Sequence, residues 1–178
     1  MELTHLLSKL LNDKDLVAIY CNQQSTENFL VGQIQAYDSD CLLLSLISPE
    51  LNTDGLCLCS AKFIFRIEQD SQYLIDMKKN LCLTTPQHSK GIPWDDFLVY
   101  AEEHKFVTQL KVFSRKRIMF GIPVGHSNDT VVLRRVYLDG TLGQIFRISR
   151  DKIALLVCNS DTEQELQVSL QKRRDLND

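Results

Sequence analysis

The chain has 178 residues, of which 44% are hydrophobic and 24% are charged, and its formal net charge is −3. This composition excludes a disordered or low-complexity chain and predicts one large or two small globular cores. The start, MELTHLLSKLL, has no basic leader, and every apolar run is shorter than the roughly 18 residues that cross a bilayer. We therefore predict a cytoplasmic protein without a membrane partner.

The first 82 residues predict a short helix, five strands and a second helical segment. Leucines at positions 3, 6, 7, 10 and 11 form one apolar stripe of a helix that ends at Asn12-Asp13. The strand candidates are separated by turn-forming residues; they are DLVAIYCN, two strands within ENFLVGQIQAYDSDCLLLSL, GLCLCS and FIFRIEQ. The second helical pattern consists of Tyr73, Leu74, Met77 and Leu81.

The same series begins again after residues 83–93, LTTPQHSKGIP, which are polar and rich in helix-breaking residues. Pro93 stands where a helix start tolerates proline. The apolar stripe of the first helix recurs 91 positions later, at Trp94, Phe97, Leu98 and Ala101. We predict a first repeat at residues 1–82, a linker at 83–93, a second repeat at 94–171 and a charged tail at 172–178.

A twenty-residue stretch of the first repeat, ENFLVGQIQAYDSDCLLLSL, is matched 89 positions later by KRIMFGIPVGHSNDTVVLRR. Only three positions are identical, but the apolar pattern persists; the identities are Gly32 with Gly121, Asp40 with Asp129, and Leu44 with Leu133. A repeat of this length indicates a duplicated structural unit. Five short strands cannot cover both faces of an open sheet, so we predict two tandem small barrels, each a strongly bent, closed sheet. Gly32 and Gly121 mark the bend in the second strand of each barrel.

A short helix followed by five strands, with a glycine in strand two and an acidic turn before strand three, resembles the Sm-like small-barrel family. Gly32, Ile34, Tyr37 and Asp38 match the family's first motif. The resemblance implies a mainly β fold with short helices, in two tandem five-stranded Sm-like barrels. A bacterial family of tandem proteins with no known activity is similar too, on Asp54-Gly55 and the segment DSQY from Asp70.

The sequence departs from the Sm-like pattern at the residues that would bind an RNA base. Leu42 and Val131 stand where the family has asparagine. The arginine-glycine pair of the second motif is replaced by Ser60-Ala61 in one repeat and by Ser149-Arg150 in the other. The resemblance therefore carries the fold over but not the family's uridine-type site.

Charge divides unevenly between the repeats. From Asp15 to Ile64 one positive side chain stands against six negative ones, a net of −5, whereas from His104 to Ile153 ten positive side chains stand against three, a net of +7. If the turn at Asn128 is tight, Arg135 faces Phe120, about three residues or ~10 Å from Arg117. The predicted nucleic-acid-binding residues are Arg115, Lys116, Arg117, Arg134, Arg135 and Arg150.

Three aromatic side chains near this cluster, Phe113, Phe120 and Tyr137, are candidate stacking faces for bases. Two simpler interpretations stay open, and they describe the more common use of such charges. The cations could lie in water, or they could face the acidic first repeat of the same or another chain. The sequence alone does not decide between these interpretations and nucleic-acid binding.

The third strand of the first repeat, from Cys41 to Ile47, is apolar on both faces, which predicts that something covers its outer face. The first helix, the other repeat or another chain could supply that cover. The second repeat has Arg134 and Arg135 in place of Ser45 and Leu46, so we expect its corresponding face to be less covered.

No catalytic, cofactor or metal site is expected. The four histidines accompany no nucleophile in a recognisable arrangement, and no phosphate-cradling glycine loop or metal-binding helix pattern occurs. Cys57 and Cys59 offer two thiols where a zinc site needs about four ligands, so we predict reduced cysteines packed as small apolar side chains. Most of the cysteines share such strand-like surroundings; the six are Cys21, Cys41, Cys57, Cys59, Cys82 and Cys158.

Two functions follow from these features as hypotheses. The first is a non-catalytic nucleic-acid-binding protein, with RNA favoured, or a ribonucleoprotein accessory module that uses the basic second repeat. The second is a protein-interaction or assembly module without nucleic-acid binding, in which barrel edges pair with a protein partner or with another copy.

Overall fold

The computed structural model describes residues 3–21, 29–81, 93–113 and 118–175. The chain forms two compact units, residues 1–94 and 95–178. The described residues contain ten strands and four α-helices, which confirms the prediction of a mainly β protein with short helices.

The first unit contains one helix before its strands and one after them. Helix α1 presents Leu7 and Leu10 to the interior, as the leucine stripe predicts. Its sheet is antiparallel, in the order β5-β1-β2-β3-β4. The elements are α1 (Leu3–Asp13), β1 (Leu16–Tyr20), β2 (Leu30–Tyr37), β3 (Cys41–Ile47), β4 (Thr53–Ser60), a 3₁₀ turn (Ala61–Phe63), β5 (Arg66–Glu68) and α2 (Gln72–Asn80).

The second unit has the same series of elements. Helix α3 begins at Pro93 and spans the division between the units. The sheet order within the unit is β10-β6-β7-β8-β9, again antiparallel. The elements are α3 (Pro93–Glu103), β6 (Thr108–Val112), β7 (Ile118–His126), β8 (Thr130–Val136), β9 (Leu142–Ser149), a 3₁₀ turn (Arg150–Lys152), β10 (Ile153–Cys158) and α4 (Asp161–Asp175).

The repeat found in the sequence is present in the hydrogen-bonded structure. Strands β3 and β4 and the following 3₁₀ turn begin and end 89 residues before β8, β9 and the second 3₁₀ turn. Two irregularities in the strand register recur at the same spacing. The first lies between Ile34 and Ala36 of β2 and between Pro123 and Gly125 of β7. The second follows Ser45 of β3 and Arg134 of β8. Such bulges bend a strand, so the two sheets share their points of curvature.

The expected closure of each sheet into a barrel is wrong. In the parts of both units that the structure describes, the end strands do not pair with each other: β4 does not pair with β5, and β9 does not pair with β10. A 3₁₀ turn separates β4 from β5, and β5 pairs with β1 over only three residues. Each unit is therefore an open, bent five-stranded sheet.

The glycines of the second strand lie where two strands approach closely, as predicted. A Cβ atom at Gly32 would overlap the carbonyl oxygen of Ser45. A Cβ atom at Gly121 would lie 2.9 Å from the carbonyl oxygen of Arg134. Only glycine allows this contact at its present spacing.

Equivalent helices cover equivalent parts of the two sheets. In the first unit, Leu74 and Met77 of α2 pack in one buried cluster with Ile47. In the second unit, Leu166 and Leu170 of α4 do the same with Val136, which lies 89 residues after Ile47. This packing fixes the face of β8 that α4 covers at Val136. Val131 and Leu133 on the other face are also buried, whereas Arg134 and Arg135 are exposed.

Candidate nucleic-acid interface

Strand β8 carries two consecutive arginines that point to opposite faces of the sheet. Arg135 shares its face with buried Leu133, and Arg134 shares its face with Val136, because neighbouring residues of a strand alternate. Both arginines are exposed, whereas Ser45 and Leu46 at the equivalent positions of β3 are buried. The expectation of a less covered face in the second repeat is therefore confirmed. The two arginines, however, do not form one cluster.

The predicted pairing of Arg135 with Phe120 is wrong by one residue, because Arg135 lies opposite Gly121 and Phe120 lies opposite Val136. Ser127 and Thr130 exchange backbone hydrogen bonds of 2.8 and 3.4 Å, so Asn128 and Asp129 form the turn. The irregularity between Pro123 and Gly125 then shifts the register.

The guanidinium of Arg135 lies over the ring of Tyr137, with 5.1 Å between its central carbon and the ring centroid. The ring rests on Gly143 of β9, where a Cβ atom would lie 2.8 Å from Tyr137 Cε2. Tyr137 remains 46% exposed. A planar cation next to an exposed aromatic ring is an arrangement that binds bases and phosphates together.

The turn that follows Tyr137 is held in place by α4. The N–H of Tyr137 donates to the carbonyl of Thr141 over 2.9 Å, and Arg173 donates to the backbone carbonyl of Asp139 over 2.6 Å. Hydrogen bonds from the hydroxyl and then the N–H of Thr141 lower the pKa of Asp139, with a further contribution from Arg173. The carboxylate therefore stays charged and paired, which fixes the turn beside the Arg135–Tyr137 stack.

A groove of about 540 Å³ runs along β9 from Gln144 to Ser149 and reaches Arg135, and we name it the cationic groove. Its cations are Arg135, Arg147 and Lys152, all exposed, and none of its lining residues is Asp or Glu. Its other lining residues are Val112, Met119, Tyr137, Gln144, Ile145, Phe146, Ile148 and Ser149. Strands β6 and β9 are not neighbours, yet both line it, so the sheet curves around it.

A second groove, of about 640 Å³, lies on the other side of the Arg135–Tyr137 stack. Its lining includes Ile118, Phe120 and Leu138, of which Leu138 is 79% exposed. Phe120 packs against the α4 cluster, so Tyr137 is better placed than Phe120 to meet a ligand. Phe113, the third predicted stacking face, is 71% exposed but does not line either groove. The stack thus separates a cationic groove from a more apolar one.

Arg150 lies apart from the cationic groove. Its guanidinium donates to Asp95 of α3 over 2.8 Å, and its side chain is only 13% exposed. His126 lies 3.9 Å from Asp95 and 3.8 Å from Glu102, so the end of β7 and the 3₁₀ turn both contact α3. The remaining predicted site residues, Arg115, Lys116 and Arg117, lie outside the described residues.

Arg147 and Lys152 were not among the site residues that the sequence predicts. Both were counted in the positive charge of the second repeat, but their approach to Arg135 depends on how β9 and the second 3₁₀ turn curve over the sheet. The available signal was the 89-residue repeat, which places β9 next to β8.

Cys41, Cys57 and Cys59 of the first unit are buried and packed as apolar residues. The sulfurs of Cys57 and Cys59 are 3.5 Å apart and fully buried. A hydrogen bond with Cys21 lowers the pKa of Cys59, but the hydrogen bond with Cys57 and burial raise it, and the result is well above the usual value. Among the described residues, no three histidine, cysteine or acidic side chains are grouped for a metal ion.

Comparisons of the chain with protein-family models, with curated proteins and with solved structures found no match. Within the described ranges, no helix is both long and apolar enough to span a membrane.

Proposed function

We propose that the chain is a non-catalytic nucleic-acid-binding protein that holds single strands, RNA in preference to DNA, in the cationic groove of its second unit. The Arg135–Tyr137 stack at the edge of a groove lined by Arg147 and Lys152 is the observation that supports this most directly. Cations hold the phosphates, and the exposed ring stacks on a base.

We also propose that each unit is an open Sm-like domain, with a helix followed by five strands in the order that the sequence resemblance implies. The two units are then a tandem pair of such domains. The 89-residue correspondence of strands, bulges and 3₁₀ turns supports a duplicated domain. The base-binding residues of the Sm-like pattern are replaced, so the proposed ligand lies in the cationic groove instead.

The test is fluorescence anisotropy with labelled single strands of about 12 nucleotides, titrated at several salt concentrations between about 50 and 200 mM. The double variant Arg135→Ala/Lys152→Ala should weaken binding. The slope of log binding constant against log salt concentration should become less steep by about one for each lost phosphate contact.

The matched control removes two exposed lysines outside the groove, with the same change in net charge. Lys9→Ala/Lys172→Ala on α1 and α4 should leave the affinity and its salt dependence close to those of the wild type. Equal losses in both double variants would mean that only total charge matters, and no binding by the wild type at low salt would disprove the proposal.

A second candidate function, a protein-interaction or assembly module, is favoured by strand β9. Every residue of β9 is at least partly exposed, whereas its counterpart β4 is buried from Gly55 to Ser60. Light scattering on the purified protein tests this function, because a defined oligomer or a co-purifying protein is expected.

A further inference from the structure

We propose that the outer edge of β9 binds an extended segment of another protein as an added strand, and that this segment carries an apolar and an acidic side chain two residues apart. The inference deepens the second candidate function. Residues 144–149 of this edge also line the cationic groove, so an added strand and a nucleic acid would compete for it. Strand β9 is the end strand of its unit, and within the described residues of that unit only β8 pairs with it.

The direction of the β9 backbone follows from one hydrogen bond. The N–H of Arg150 donates to the carbonyl of Asp129 over 2.9 Å, and hydrogen-bonded pairs alternate along an antiparallel ladder. In the register of β8 and β9, Ile148 and Phe146 therefore turn their backbone groups toward β8. The N–H and C=O groups of Ile145 and Arg147 point away from β8, as donors and acceptors for another strand.

The side chains along this edge determine which partner fits. Ile145 is opposite Arg134 and Arg147 is opposite Val132, so these four share one face. Ile145 is 53% exposed between the two arginines. An added strand would place one side chain next to Ile145 and another next to Arg147. An apolar residue suits the first position and a carboxylate suits the second.

Within the described residues, the edge also carries little of the usual protection against pairing. Exposed edge strands commonly carry lysine, proline or several charges. Strand β9, LGQIFRIS, contains neither lysine nor proline, and Arg147 is its only charged residue. The bulge near Gly143 limits the regular part of the edge to Gln144–Ser149, which is enough for a short extended peptide.

A second copy of this chain fits the edge less well. The end strand β5 of the first unit carries one carboxylate, Glu68, which already accepts a hydrogen bond from Tyr20 over 2.7 Å and pairs with Arg66. Its charge is therefore satisfied within its own unit. A separate acidic segment matches the positive charge of Arg147 better.

The test uses a labelled synthetic peptide whose valine and glutamate residues alternate along one face of an extended strand, with threonine on the other face. Anisotropy should show saturable binding to the wild-type protein. Peptides with lysine in place of glutamate, or with N-methylated backbone amides, should bind at least about tenfold more weakly because charge or strand pairing is lost.

Two variants locate the binding site. Ile145→Pro removes an outward-pointing N–H, where an edge strand tolerates proline, and should abolish binding. Arg147→Glu should weaken binding of the glutamate peptide about three- to tenfold and strengthen binding of the lysine peptide. This variant keeps the test decisive if the proline variant fails to fold. The control Lys9→Glu should bind like the wild type.

The proposal is overturned if the wild-type protein does not bind the glutamate peptide, or if folded Ile145→Pro binds it unchanged. It is also overturned if the wild type is a dimer by light scattering that Ile145→Pro converts to a monomer, because a second copy then occupies the edge. In that last case the assembly function stands although the peptide proposal fails.

Discussion

Tyr137 packs on Gly143 across the β8–β9 pair, so that the absence of one side chain creates the seat for an exposed ring. The Cε2 atom of the ring is 2.8 Å from where a Cβ atom of residue 143 would be, and the Cβ of Arg135 is 3.1 Å from the same point. Any side chain at this position would displace the ring or the arginine beside it. The geometry of the proposed site therefore depends on a glycine that makes no hydrogen bond to a ligand.

Gly143→Ala should weaken single-strand binding while leaving the unit folded. The added methyl group displaces Tyr137 and separates it from Arg135, which removes a cation–π contact of about 0.5–1 kcal/mol at an exposed site. Anisotropy titrations measure the affinity, and the NMR shifts of the tyrosine ring report its position. Gly125→Ala is the matched control, because a Cβ atom there meets nothing within 4 Å. Equal affinities of the two variants would show that the packing of Tyr137 on Gly143 does not affect binding.

Gly121→Ala should destabilise the second unit by about 1–3 kcal/mol, the usual cost of forcing extra atoms into a packed region. The added Cβ atom would lie 2.9 Å from a backbone carbonyl, which cannot move without shifting β8. Gly32→Ala should destabilise the first unit by at least as much, because the added Cβ atom would overlap the Ser45 carbonyl oxygen more closely. Urea unfolding measures both, and a midpoint no lower than that of Gly125→Ala would contradict the prediction.

The sequence predicted the repeat well because the relevant signals are local. The leucine stripe of α1, the apolar runs of the strands and Pro93 at the start of α3 depend on periodicity and backbone restriction alone. The 89-residue offset then carried the elements of one unit onto the other. The two glycines at the strand bends were also predictable, because glycine within a strand marks a close approach.

The candidate site was only partly predictable because it depends on register and curvature. The position of Arg135 opposite Gly121 is set by a bulge that no periodic pattern reveals. The approach of Arg147 and Lys152 depends on how far an open sheet bends. The closure of that sheet was wrongly predicted, since end-strand pairing is a long-range property.

The ion pair of Arg150 with Asp95 could not be predicted from the sequence, because the two residues are 55 positions apart in the chain. Asp95→Asn should reduce the free energy of unfolding of the second unit by about 1 kcal/mol, as expected for a partly shielded charge-assisted hydrogen bond. The Arg150 side chain is 13% exposed and that of Asp95 is 40% exposed, so water screens the pair only partly. Urea unfolding of Asp95→Asn measures the change.

The comparison pair is Arg173 with Asp139, whose side chains are 47% and 56% exposed. The substitution Arg173→Lys keeps the positive charge and should change the free energy of unfolding by less than Asp95→Asn does. A larger effect of Arg173→Lys would show that the α4 anchor, rather than the α3 ion pair, stabilises the unit more.

The anchoring of the β8–β9 turn should depend on pH through Asp139. The hydrogen bonds of Thr141 lower its pKa below the ordinary value of about 3.9. Because the folded value is the lower one, the carboxylate stabilises the turn at pH values above about 4, and this contribution disappears as the pH falls through the folded pKa. Thr141→Val removes the hydroxyl, the largest cause of the shift, and should raise the pKa of Asp139 toward its ordinary value. An NMR titration of the Asp139 carboxyl carbon measures this directly. An unchanged pKa of Asp139 in Thr141→Val would contradict the assignment of that hydrogen bond as the main cause.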